Sequence, residues 1–313
     1  MRIALLHNPK AGNGTFRVSK FVRQIEKAGH KVVYASIKQN DWQDVFAEPI
    51  DRVIIAGGDG SVSRAAPWLR ARDLPFCILP LGTANNCARG LGQLQAVEYL
   101  VTHVHSAAIR RIDLGLVSSP AGQRFFIESA GVGLLPRFMS AMRAAQKKNG
   151  SKLRSLSRER LGKAKKYFGK WAREAPDFDC QLLLDDEPEN GEFLLLEVAN
   201  IGRIGPRLDL APGAEPGDGY LDVVWVRREQ RKEWLSYLKQ LKKNGQTAAP
   251  PVEHRRCRQI TLSRSTASLH VDGKVFDEMA TPCCITVSPG ALQLIDFSRS
   301  RGRSRGKSSS RPH

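Results

Sequence analysis

Four short runs of continuous apolar residues mark the first third of the chain: Ile3-Ala4-Leu5-Leu6, Val32-Val33-Tyr34, Val53-Ile54-Ile55 and Phe76-Cys77-Ile78-Leu79. A strand with apolar side chains on both faces is covered on both faces, which is the condition of strands in a parallel sheet flanked by crossover helices. The stretches between the runs are helical-looking or turn-rich, so the rhythm predicts βαβ units. After Asp113 the rhythm changes to apolar segments at 125–130, 180–184, 193–199, 221–226, 259–262, 268–271 and 284–287 separated by turns. That second pattern predicts a mostly antiparallel half with two inserted basic helices. The expected fold class is therefore α/β plus β: an N-terminal α/β domain over 1–115 and a C-terminal, mostly antiparallel β-sandwich domain over 116–296, whose last strand can return to the first domain. Residues 297–313 hold six basic, no acidic and almost no apolar side chains, and are expected to form a disordered basic tail.

Composition excludes several classes of protein. A chain of 313 residues with 41% hydrophobic and 26% charged residues is globular rather than disordered, and is long enough for about two domains and a core that needs neither disulfide nor metal. Its six cysteines form no C-x-x-C pair, which predicts reduced, buried thiols, and its histidines show no metal-ligand spacing. The N-terminal apolar run is too short for a signal peptide or a membrane span, so the expected location is cytoplasmic. Lys and Arg outnumber Asp and Glu by 49 to 31, a surplus of +18 concentrated in the middle and C-terminal parts. No zinc-finger or RRM pattern accompanies it, so no specific nucleic-acid partner is expected.

The chemistry lies in the loops. The strand Val53–Ala56 runs into Gly57-Gly58-Asp59-Gly60-Ser61, after which a helix can begin at Val62. Glycines let backbone amides approach a ligand, and a following helix N-terminus favours an anion, so this turn can cradle phosphates. It is not a Walker A loop, because no G-x-x-x-x-G-K-[ST] occurs in the chain. Asp59 beside phosphates is repulsive unless a cation such as Mg2+ is shared. A second loop, Leu81-Gly82-Thr83-Ala84-Asn85-Asn86, follows the next strand, and a third, Asn8-Pro9-Lys10-Ala11-Gly12-Asn13-Gly14, follows the first. Loops at the carboxyl ends of successive strands line one crevice in an open α/β sheet, which makes the N-terminal domain a nucleotide-binding domain.

Taken in order, NPKAGNG, GGDGS, LPLGTANNCAR, RRIDLG, APGAEPGDGYLDVV and HVDGK resemble the diacylglycerol kinase catalytic family, which includes bacterial lipid kinases, sphingosine kinases and ceramide kinase. The resemblance spans residues 1 to about 296. GGDG alone is shared with phosphofructokinases and NAD kinases; PLGTAN downstream and a later DG pair are more specific. The resemblance implies an ATP-dependent lipid kinase that transfers the γ-phosphate to a hydroxyl of a membrane lipid such as diacylglycerol, with ATP and Mg2+ as cofactors.

Residue by residue, it implies that Asn8, Gly12, Gly57, Gly58, Asp59, Gly60, Ser61 and Thr83 hold nucleotide, with Ser36 at the end of strand two. It implies acids at three active-site positions, which fall here on Asp59, Asn86 and Asp113, so that one carboxylate is missing. It implies a cation loop at Pro212–Asp222 with Asp218 as side-chain ligand and the carbonyls of Glu215 and Tyr220 beside it. Finally, it implies Asp272 as general base, with Lys274 standing where the family usually has Glu. On the residues alone, Gly217-Asp218-Gly219 is also a turn without metal, and Asp272-Gly273 is also a hairpin turn.

Two basic helices complete the reading. In 151–173, Leu153, Leu156, Leu161, Ala164, Phe168 and Trp171 follow helical spacing among Arg160, Lys163, Lys165, Lys166, Lys170 and Arg173, and Trp234, Leu238 and Leu241 repeat the theme. Such faces suit an anionic phospholipid surface, so the expected protein is peripherally associated with the membrane, with room for a homodimer. The alternative functions are a catalytically impaired lipid-binding or regulatory protein on the same fold, motivated by Asn86 and Lys274, and a basic nucleic-acid-binding protein.

Overall fold

The computed structural model describes residues 1–12, 16–149, 157–244, 249–265, 267–276 and 282–298. The expected basic tail and the side chains of Lys163, Lys165 and Lys166 lie outside the described residues, apart from Phe297 and Ser298.

The four apolar runs form β1 (Arg2–His7), β2 (Lys31–Ser36), β3 (Arg52–Gly57) and β4 (Phe76–Pro80), all parallel, in the spatial order β2-β1-β3-β4. Alternating side chains go to opposite faces: Ala4 and Leu6 join Val53, Ile55 and Ile78 on one side, while Ile3 and Leu5 join Ile54, Cys77 and Leu79 on the other. Helices α1 (Val18–Lys27) and α2 (Asp59–Arg72) connect strands, and Phe21 and Ile25 of α1 are buried against the second of these faces. Each aliphatic side chain so enclosed contributes about 1.5–3 kcal/mol relative to exposure, which explains why the sheet is apolar on both sides.

The second half is antiparallel, as expected. β7 (Ser129–Gly133), β8 (Phe178–Leu184), β9 (Glu187–Ala199), β12 (Leu221–Arg227), β13 (Glu253–Cys257) and β14 (Gln259–Ser265) pair in antiparallel register, and β15 (Leu269–Val271) with β16 (Lys274–Phe276) closes one edge as a hairpin on β7. One face of these strands encloses a core with Phe178, Leu182, Val198, Trp225 and Ile285. The other is covered by three helices, not two: α5 (Leu134–Asn149), α6 (Ser157–Glu174) and α7 (Arg231–Asn244), which bury Phe138, Phe168 and Trp234 against Leu194, Val224 and Val226. Cys77, Cys87, Cys180, Cys257 and Cys283 are free and buried, and Cys284 is free and half-buried.

The halves are joined by strands rather than by a linker. β5 (Ala108–Ser119) and β17 (Cys283–Asp296) run antiparallel over most of their length, and β17 reaches β4 through Leu294 opposite Phe76 while its other end pairs with β14. The last strand thus returns to the first domain. A bulge between Ser288 and Leu292 bends it, and Gly290 takes a left-handed backbone there.

Candidate active site

The three loops meet over the carboxyl ends of β1, β3 and β4 around a crevice of about 380 Å3 lined by Asn8, Lys10, Gly12, Gly58, Asp59, Gly60, Ser61, Gly82 and Thr83. Their contact is between backbones. A Cβ on Gly58 would lie 2.8 Å from the Gly82 Cα, and one on Gly82 would lie 2.5 Å from the Gly58 Cα, so each position excludes a side chain for the sake of the other loop. The Gly12 N–H donates to the Leu81 carbonyl at 2.8 Å, which ties the first loop to the second. Ser61 is buried, with Asn8 Nδ2 3.5 Å from its Oγ. Ser36 is buried at the end of β2 and does not line the crevice; Lys38, two residues on, does. Sequence reading passed over Lys38 and Lys10, both of which line the crevice.

Asp59 opens α2 and faces the other half. Its carboxylate accepts the Cys87 N–H at 2.9 Å, and burial pushes its pKa above the ordinary value against the hydrogen bonds it receives. Across from it stands Glu128, between β6 (Gly122–Phe126) and β7. Among the described residues, ligand atoms of Asp59, Cys87 and Glu128 all lie within 4.8 Å of one another. Glu128 Oε1 accepts from Asn86 Nδ2 and from the Gly205 N–H, both at 2.9 Å. Burial raises its pKa well above the ordinary carboxylate value, and the nearby charges of Asp59 and Asp272 push the same way. Burial, with Asp59 beside it, also drives the Cys87 thiol well up, so the thiol stays neutral. Sequence reading missed Glu128, whose signal was a charged residue embedded between apolar strands in FFIESAG.

Asp272 sits at the tip of the β15–β16 hairpin with φ 46°, followed by Gly273 at φ 76°, the pair of positive angles that a two-residue type I′ turn requires. The hairpin reading of Asp272-Gly273 is therefore the one the backbone shows. Its carboxylate accepts N–H groups from Ile127 (2.9 Å), Glu128 (2.8 Å) and Ser129 (3.2 Å), and a hydroxyl hydrogen bond from Ser63 of α2. Burial raises its pKa, while those hydrogen bonds oppose the rise. A turn in the second half is thereby fixed one helical turn from the glycine loop of the first. Arg207 adds a further tie, donating to the carbonyls of Thr83 and Ala84 at 2.9 Å each.

Two expected residues have other surroundings. Asp113, in β5, is not part of the Asp59–Glu128 group: its Oδ2 accepts the Gly219 N–H at 2.8 Å and its Oδ1 the Gly290 N–H at 2.7 Å, so this buried carboxylate fastens two turns. Asp218 pairs through Oδ2 with the Arg256 guanidinium and accepts the Tyr220 N–H on Oδ1 at 3.0 Å, while the Glu215 carbonyl accepts the Asp218 N–H at 3.3 Å. Both carboxylate oxygens are committed and a positive charge already faces them, so these residues do not fit a hard divalent cation. The oxygens around Asp59 and Glu128 do fit one, since a hard cation takes carboxylate and amide oxygen ligands and Asn86 Oδ1 is a buried oxygen with no donor.

Residues 2–117 match the diacylglycerol kinase catalytic domain, and residues 163–296 match the YegS C-terminal NAD kinase beta sandwich-like domain. Over these two segments the chain is similar to the diacylglycerol kinase catalytic family, as its motifs implied. It is 25% identical over 293 residues to a diacylglycerol kinase of Staphylococcus saprophyticus, covering 87% of this chain and 88% of the relative, and 24% identical over 293 residues to a diacylglycerol kinase of Staphylococcus epidermidis, covering 87% and 85%. In fold it is similar to the crystal structure of a diacylglycerol kinase from Bacillus anthracis, with a TM-score of 0.68, 17% identity and coverage of 95% of this chain and 97% of the other. The first match falls in the N-terminal half described above and the second in the C-terminal half.

Proposed function

We propose that the chain is an ATP-dependent lipid kinase that phosphorylates the hydroxyl of a membrane lipid of the diacylglycerol class. The observation that carries this reading is the contact of Asp272 with α2, the helix that follows the glycine loop: a half-buried carboxylate from the second half, held by three backbone N–H groups, meets Ser63, one helical turn beyond Asp59 of the crevice lining. In the proposed reaction Asp272 takes the proton of the lipid hydroxyl as its oxygen forms a bond to the γ-phosphorus. The bond from the γ-phosphorus to the bridging oxygen breaks, and ADP leaves. A carboxylate whose basicity is raised by burial is suited to that step. Lys10, Lys38 and the backbone of the three loops hold phosphate oxygens, and Mg2+ bound at Asp59 would neutralise the charge that develops on them. Glu128 beside Asn86 restores a carboxylate to the site, which argues against the catalytically impaired alternative.

Membrane access belongs to the same proposal. Among the described residues no helix is long and apolar enough to cross a membrane. On α6, Tyr167 and Trp171 are 51% and 36% exposed one turn apart, with exposed Lys170 between them, a pairing of aromatic and basic side chains suited to a lipid interface. The experiment that tests the proposal is ATP consumption by the purified protein with diacylglycerol in mixed micelles and with total lipid extract. Phosphorylated lipid formed only with active protein is the expected result; ATP turnover that is no higher with lipid than without it would refute the reading.

A further inference from the structure

The carboxylate absent at position 86 stands one side chain away. The resemblance implies an acid there, the chain has an amide, and that amide donates to a glutamate from the other half of the protein. We infer that Glu128 is a cation-ligating residue of the site, supplying from the second half the negative charge that Asn86 lacks and forming with Asp59 the oxygen pair that faces a divalent ion. The inference rests on the kinase reading above.

Three observations carry it. Glu128 is anchored through Oε1 alone, by Asn86 Nδ2 and the Gly205 N–H, and among the described residues nothing donates to Oε2. The anchor fixes the carboxylate and leaves an oxygen to bind. Secondly, Asp59 and Glu128 face each other within 4.8 Å with no Lys or Arg side chain hydrogen-bonded to either among the described residues. Two like charges so close in a desolvated place are unfavourable alone and favourable around a shared cation.

The third observation is Asn86 itself, 1% exposed with an Oδ1 that no donor reaches. Its Nδ2 serves two acceptors, Glu128 Oε1 and the Gly205 carbonyl, each at 2.9 Å, so reversing the amide would set oxygen against oxygen. Oδ1 is thereby held as a buried, neutral oxygen on the side chain that anchors Glu128. Two carboxylates and one amide oxygen balance a doubly charged hard cation. Relative to the implied pattern, amide and acid have traded places across the crevice.

The test compares wild type, Glu128→Gln and the double exchange Asn86→Asp with Glu128→Gln. Mn2+ binding is read from the loss of the free-ion paramagnetic resonance signal, with and without a non-hydrolysable ATP analogue, next to melting temperature and ATP turnover. Glu128→Gln keeps the acceptor for Asn86 and Gly205 but loses the charge; it is expected to weaken Mn2+ binding at least about tenfold without lowering the melting temperature. The double exchange returns the charge on the other side chain and is expected to recover most of that affinity. Wild-type Mn2+ affinity in Glu128→Gln, or no Mn2+ binding by the wild type in either condition, overturns the inference. Should the double exchange fail to fold, wild type against Glu128→Gln decides alone. The metal measurement needs neither lipid nor turnover, so Mn2+ binding lost in Glu128→Gln by a protein that phosphorylates no lipid would refute the kinase reading and keep this one.

Discussion

Arg256 occupies the place opposite Asp218 that a metal ion is expected to fill. The guanidinium pairs with Asp218 Oδ2 and lies over the Tyr220 ring, 4.6 Å from its centre, while Arg258 packs on the same ring at 4.7 Å. An internal cation on β13 thus fastens the 212–222 turn, with Asp113 holding its Gly219 N–H from below.

Metal removal should therefore leave the 212–222 turn intact. A chelator is expected to shift the melting temperature of the nucleotide-free wild type and of Asp218→Ala by the same amount, any shift coming from the Asp59–Glu128 site. Arg256→Ala is expected to lower the melting temperature by about 1–4 °C, the scale of a partly exposed ion pair with a stacked ring, and to make it respond more strongly to millimolar Mg2+. Differential scanning fluorimetry of these proteins checks this; a wild-type fall on chelation that Asp218→Ala abolishes would show that Asp218 holds a metal.

The glycines of the two loops should differ in tolerance. Gly58→Val or Gly82→Ala forces a Cβ into the backbone of the facing loop and is expected to cost about 1–3 kcal/mol and to abolish nucleotide-dependent activity. A Cβ on Gly60 meets nothing within 4 Å, so Gly60→Ala should fold normally. Urea unfolding together with binding of a fluorescent ATP analogue separates these outcomes.

Asp272→Asn should remove the base. The asparagine tolerates the left-handed backbone of the hairpin tip, but its amide nitrogen faces donors that the carboxylate accepted. Turnover is expected to fall about 10²–10⁴-fold with affinity for the ATP analogue unchanged, since the nucleotide loops belong to the other half. A kcat within a factor of about three of wild type would exclude Asp272 as the base.

Three half-buried carboxyls give the nucleotide-free protein a pH signature. Burial raises Asp59, Glu128 and Asp272 above their ordinary values of 3.8, 4.5 and 3.8, so the native state holds more protons than the unfolded chain. The associated stability is fully present below the unfolded values and is lost as pH rises through the native ones, titrating as a set because the groups interact. Free energy of unfolding, measured by denaturant titration at successive pH values, is therefore expected to decline with rising pH from these groups. Glu128→Gln should flatten the decline.

Binding to anionic vesicles should depend on the α6 surface. Tyr167→Ser with Trp171→Ser is expected to weaken sedimentation with vesicles containing phosphatidylglycerol, and salt should weaken it further for the wild type, since exposed charges are screened over about 8 Å at physiological ionic strength. Nucleotide binding should persist in the variant. Equal sedimentation of both proteins at low and high salt would make these side chains ordinary surface residues.

The sequence by itself determined the architecture and named part of the candidate site. Continuous apolar runs between helical stretches demand a parallel sheet covered on both faces, and the later succession of apolar segments and turns marks an antiparallel half, so both halves were legible as local pattern. Gly57–Ser61, Thr83 and the Asp272-Gly273 turn were legible because special backbone needs restrict the residue types there. What only the tertiary structure decided are the pairings across long sequence separation: β17 threading back to β4, Glu128 facing Asp59, Asp113 fastening Gly219 and Gly290, and Arg256 taking Asp218. A charged side chain carries no local mark of the partner it will meet, because that partner is chosen by strand register and by the desolvation that makes an unpaired buried charge intolerable. Asn86 read alone is a missing charge; placed 2.9 Å from Glu128, it is the side chain that holds one.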